Sequence, residues 1–131
     1  MTTENRSFSR HQFLIVSCGC ELPDTTIRAA KAYAFSQDVE DGCQKMAQRR
    51  YACVVVCFDP TNKDSIVQLQ RLQKLAKADN IPLATTSLFN PSWIENLMDQ
   101  FGVAAHFKSF PEKAQIAEIA AQHGQLARVE K

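Results

Sequence analysis

The stretch RRYACVVVCFDPTNKDS, residues 49–65, holds the richest β-branched run in the chain and then turns abruptly polar. A continuous run such as ACVVVCF (52–58), without polar alternation, belongs to a strand buried on both faces. Such a strand needs helices on both sides of its sheet, and a helix pattern follows at once. From Asp64, the residues Ile66, Leu69, Leu72 and Leu75 repeat at threes, with Gln, Arg and Lys on the outer face.

The same alternation extends to both ends of the chain. FLIVSC (13–18) is a buried strand ending at Gly19, and AYAFS (32–36) is a second strand. Pro23 starts an abbreviated first helix, because the segment Cys20–Lys31 is short. Asp38 caps a helix whose inner face is Val39, Cys43, Met46 and Ala47. IPLATTS (81–87) is the fourth strand, its proline tolerated at the strand start. Asn90-Pro91 reads as N-cap and first helical residue of a helix with Ile94, Leu97, Met98 and Phe101 inward, stopped by Gly102. VAAHFKSF (103–110) contains the fifth strand and its exit loop. Pro111 opens the last helix, with Ile116, Ile119 and Ala120 inward and Gly124 near its end. Five apolar strands separated by helices imply a parallel, doubly wound α/β sheet. The expected organisation is a flexible tail at 1–11, one domain at 12–124 and a second tail at 125–131.

Composition narrows the function. The 131 residues are 45% apolar with a net charge of +1, which suits one packed domain and offers no basic footprint for nucleic acid. The longest apolar runs are too short to span a bilayer, and MTTENRSFSRH lacks a signal-peptide core, so a cytoplasmic protein without membrane contact is expected. Five cysteines (18, 20, 43, 53 and 57) are an odd number placed largely in apolar segments, a pattern of reduced thiols acting as small hydrophobes. The one-residue spacing of Cys18 and Cys20 is tighter than the usual two to four of structural zinc sites, and no metal or cofactor is expected.

Doubly wound sheets place their sites at the carboxyl ends of the strands, here Ser17-Cys18, Cys57-Phe58-Asp59, Ser87 and Lys108. With these ends in view, residues 12–122 resemble the receiver domain of two-component response regulators. The resemblance implies a flavodoxin-like fold with strand order 2-1-3-4-5. It also implies an acidic pair after strand one, a phosphate-accepting Asp after strand three, a Ser or Thr after strand four and a Lys after strand five. Ser87 and Lys108 match. Ser17-Cys18 stands at the acidic pair and Cys57 at the acceptor. Ser109 stands where the family has proline, and a cis bond before a non-proline residue costs about 2.5–4 kcal/mol.

Register decides whether Asp59 is a displaced acceptor. Counted from Cys57, apolar residues of the next helix fall at +9, +12 and +15 (Ile66, Leu69, Leu72), as in receivers. Counted from Asp59, the first two of these positions are Gln68 and Arg71. Cys57 is therefore the equivalent of the acceptor. A thiol and one Asp do not replace three hard oxygen ligands for Mg²⁺. The expectation is a non-enzymatic pseudo-receiver, a module for protein interaction or dimerisation in bacterial signalling or transcription regulation. The resemblance implies an interaction face that includes Trp93, Glu95, Met98, His106 and Lys113. Two rivals remain open: a redox switch using Cys18, Cys20 and Cys57, and a phospho-receiver accepting on Asp59.

Overall fold

The computed structural model describes residues 8–129. Its sheet has five parallel strands: β1 (Phe13–Cys18), β2 (Ala34–Ser36), β3 (Cys53–Phe58), β4 (Leu83–Ser87) and β5 (Ala105–Phe107). Their spatial order is 2-1-3-4-5, the flavodoxin-like α/β arrangement. The helices are α1 (Asp24–Ala30), α2 (Val39–Gln48), α3 (Lys63–Ala78), α4 (Ile94–Phe101) and α5 (Lys113–Val129). No helix among the described residues is long and apolar enough to cross a membrane.

The unalternating strands are buried on both faces, and strand parity sorts their side chains into two cores. Leu14, Val16, Cys18, Val54, Val56 and Phe58 pack with the inner faces of α2, α3 and α4. Phe13, Ile15, Cys53, Val55, Cys57 and Ala84 pack with Ala30 of α1 and with Ile116 and Ala120 of α5. Gly42 lets α2 approach β1 closely: a Cβ there would lie 3.1 Å from both methyls of Val16.

Several helix boundaries follow their caps. Asp38 accepts from the Asp41 amide at 2.8 Å, as its position predicts. Gly102 adopts φ 73°, which ends α4 and lets its amide reach the Met98 carbonyl at 3.0 Å. Other boundaries differ from the sequence expectation. α3 begins at Lys63, because Asn62 caps it by accepting from the Asp64 and Ser65 amides. Leu75 is 39% exposed, since a spacing of three drifts off a face that repeats every 3.6 residues. Ala47 is likewise exposed, and Gly42 takes its place on the inner face of α2. Asn90-Pro91 forms a turn ahead of α4 rather than its cap, the helix starting only at Ile94.

The expected tails are also partly structured. Residues 1–7 lie outside the described residues, but Phe8 is buried against Phe13 and Ser9 caps a 3-10 turn at Arg10–Gln12. At the other end α5 runs through Gly124 to Val129 instead of stopping there. There is no cis peptide among the described residues, so Lys108–Ser109 is trans.

Candidate functional site

The carboxyl edge of the sheet carries two clefts, one on either side of α1. The strand registers set their contents: Ser17 lies beside Cys57, Cys57 beside Thr86, and Phe58 beside Ser87. Side chains on paired residues of parallel strands share a face, so Cys57 and Thr86 point toward α1 and α5, whereas Ser87 belongs to the opposite parity.

The smaller cleft, about 190 Å³, gathers Cys57, Thr86, Ser87 and Lys108 beneath Pro23 and Thr26. Three of the expected pocket residues therefore meet. Their chemistry is nevertheless muted. Cys57 is 1% exposed, and burial, followed by the neighbouring thiols of Cys20 and Cys18, pushes its pKa up to about 12. Ser87 donates its hydroxyl to the Phe89 carbonyl at 2.6 Å. Lys108 is exposed, and its carbonyl accepts from the Asn90 side chain at 3.2 Å. Thr86, which sequence reasoning passed over, is the hydroxyl on the same face as Cys57; the strand register, which the sequence does not state, is what assigns it.

The rest of the expected pocket is elsewhere. Ser17 donates to the Cys20 carbonyl at 2.9 Å and shapes the turn after β1. Asp59 accepts from the Thr61 amide at 2.9 Å and the Thr61 hydroxyl at 2.7 Å, a local turn of the kind Asp favours before proline. It makes no ion pair with Lys108. Among the described residues no group of three or more His, Cys, Asp or Glu is arranged to hold a metal ion.

The thiols divide by face. Cys18 lies in the core under α3 and donates to the Ser65 carbonyl at 3.2 Å, while Cys57 lies in the opposite core. A Cys18–Cys57 bridge would have to pass through the sheet, which counts against that pair as part of the redox switch. Cys20 is different: it is partly exposed and donates to the Cys57 carbonyl at 3.5 Å. Burial raises the pKa of Cys20, takes Cys18 to about 12, and leaves both poor nucleophiles at neutral pH. Mild peroxide should leave no Cys18–Cys57 linkage detectable by peptide mass spectrometry; finding one would contradict the two-sided placement.

The larger cleft, about 570 Å³, lies between α1 and the β1–β2 edge and includes Ser17, Cys20, Asp24, Phe35 and Gln37. It exists because α1 has only seven residues and covers that edge incompletely. The short Cys20–Lys31 segment was the sequence signal for it.

The expected interaction face is also revised. Trp93 is 46% exposed and Glu95 is exposed, but Met98 is 2% exposed and belongs to the core. His106 is half-buried between Thr85 and Ser87, and Lys113 is partly buried at the start of α5. Phe89, 57% exposed in the β4–α4 loop, supplies the apolar surface that Met98 does not. No protein-family model and no curated protein sequence matches this chain.

Proposed function

We propose that this chain is a receiver-like domain without phosphoryl chemistry, a pseudo-receiver. It acts through contacts with another protein, or with a second copy of itself, in a bacterial signalling or transcription-regulating system. The strand order and the convergence of Cys57, Ser87 and Lys108 on one cleft support the likeness to receivers. The observation that carries the loss of chemistry is Cys57, 1% exposed within an apolar core where a receiver offers a carboxylate. Exposed Phe89 and Trp93 beside α4 supply apolar material for recognition, and aromatic residues are enriched at such contacts.

The displaced-acceptor rival is disfavoured because the Asp59 carboxylate is engaged by Thr61. The redox rival retains only the Cys20–Cys57 pair, whose burial slows thiolate chemistry.

Two measurements test the proposal. Acetyl phosphate with Mg²⁺ should leave the amide spectrum unchanged, and specific shifts around Asp59 would restore the acceptor reading. Sedimentation of the full chain should show concentration-dependent association that Trp93→Asp abolishes. A strict monomer at high concentration would eliminate self-association and leave a heterologous partner as the target of the same substitution.

A further inference from the structure

We infer that His106 is a proton-operated latch on the β4–α4 loop, such that acidification draws Asn90, and with it Phe89 and Trp93, toward β5. This does not rest on the function proposed above; it follows from the hydrogen atoms available around one ring.

His106 Nδ1 lies 2.8 Å from the Thr85 hydroxyl, and Nε2 lies 3.4 Å from both Ser87 Oγ and Asn90 Oδ1. Ser87 has one hydroxyl proton and two oxygens that take it, the Phe89 carbonyl at 2.6 Å and Asn90 Oδ1 at 3.1 Å, so none is left for the ring. Asn90 donates its amide to the Lys108 carbonyl, which turns Oδ1 toward the ring. Two acceptor oxygens thus face Nε2, and a lone pair there would be repelled by both. The neutral ring is therefore the Nε2–H tautomer, with Nδ1 accepting from Thr85.

The site also has room for a second proton. The Thr85 hydroxyl lies 3.3 Å from Met98 Sδ as well as 2.8 Å from Nδ1. When Nδ1 is protonated it donates to Thr85 Oγ1, and the Thr85 hydroxyl proton turns to the Met98 sulfur. No donor is orphaned and no heavy atom need leave its place. The change falls on the Nε2 side. Hydrogen bonds from a cation are shorter and stronger than neutral ones, and the two contacts at 3.4 Å have slack to take up. Asn90 is the mobile partner, because Ser87 is fixed within β4.

The groups facing the ring permit this change without forcing it at neutral pH. β4 and the loop present only neutral Thr85, Ser87 and Asn90. β3 presents the Phe58 ring, edge-on at 6.3 Å. α4 contributes Met98 and the Glu95 carboxylate, whose charge favours the cation; Lys108, just past the end of β5, is exposed. Burial outweighs Glu95 and holds the His106 pKa below the ordinary 6.5, so the ring is neutral at pH 7 and gains its second proton only on acidification.

The test is an NMR titration of the full chain over about pH 5–8, the range in which histidines change charge. The His106 ring signals should titrate with a midpoint below 6.5, and the Phe89 and Asn90 amides and the Trp93 indole should move with the same midpoint. In His106→Gln, which keeps a donor but cannot titrate, those loop signals should be flat. Asn90→Ala provides a second variant: His106 should still titrate while Phe89 and Trp93 lose their pH dependence. A titrating ring with an unmoving loop would overturn the inference. So would the wild-type loop profile persisting in either variant.

Discussion

Cys57→Asp, which places a carboxylate where the proposed likeness to receivers puts an acceptor, should destabilise the fold by roughly 4 kcal/mol at pH 7. That figure follows from a carboxyl pKa raised by about three units on near-complete burial, at about 1.36 kcal/mol per unit. Cys57 is 1% exposed in the apolar core with Ile15, Val55 and Ala84. Lys108 lines the same cleft but is itself exposed, so screening limits its help. The sign of the pH dependence is the reverse of that for a salt-bridged Asp. A folded-state pKa above the unfolded value means that the native protein binds the proton more tightly. The penalty is absent below the unfolded pKa, grows as pH rises, and is complete above the folded pKa. Urea unfolding at pH 7 and pH 5 should therefore show the variant recovering part of its loss in acid, relative to the parent at each pH. A variant as stable as the parent at pH 7 would mean a hydrated cleft able to hold a charge, and would remove the main support for lost phosphoryl chemistry.

Such a loss is large against the total stability of about 5–15 kcal/mol typical of one domain. The burial behind it also makes the end of β3 legible in the sequence. CVVVCF has no polar residue to mark a solvated face, and Asp59-Pro60 directly after it marks where the strand ends. The interior strands β1 and β3 matched their apolar runs within a residue for the same reason. The edge strands are three residues each, shorter than AYAFS and VAAHFKSF suggest, because an edge strand pairs on one side only and its ends leave the ladder early.

What the sequence withheld was register and the destination of polar side chains. One residue of slip moves a whole strand to the other face, and no local pattern in a strand buried on both faces reveals it. Hence Cys18 and Cys57 were grouped in one candidate redox switch, although they occupy opposite cores. Asn90-Pro91 looked like a helix start because nothing local reveals that the Asn90 side chain reaches across to the Lys108 carbonyl. Met98 is a different case. Its place in the Ile94, Leu97, Met98, Phe101 pattern already put it inside, and only the analogy with a receiver's partner face moved it outward.

Ser65 is the residue that sequence reasoning had no means to single out, and its removal should have the second large effect. It is fully buried in the first turn of α3. Its hydroxyl donates to the Cys18 carbonyl and accepts from the Asp59 amide at 3.0 Å, while its own carbonyl accepts from the Cys18 thiol at 3.2 Å. One side chain thus ties the ends of β1 and β3 to the start of α3, at the edge where both clefts open. The exit from β1 passes close by: a Cβ on Gly19, at φ 66°, would lie 3.5 Å from the Ser65 Cα. Ser65→Ala leaves the Cys18 carbonyl and the Asp59 amide without this partner, at about 1–3 kcal/mol for each buried group left unsatisfied. A total loss of roughly 2–6 kcal/mol in urea unfolding is expected, with the slope unchanged because the fold itself persists. Cys18→Ser is the matched control, since it keeps a donor toward the Ser65 carbonyl and leaves the hydroxyl bridge intact; it should cost less. A Ser65→Ala loss under about 1 kcal/mol would show that water reaches both orphaned groups. The carboxyl edge would then be open enough to question the closure on which the Cys57 argument also depends.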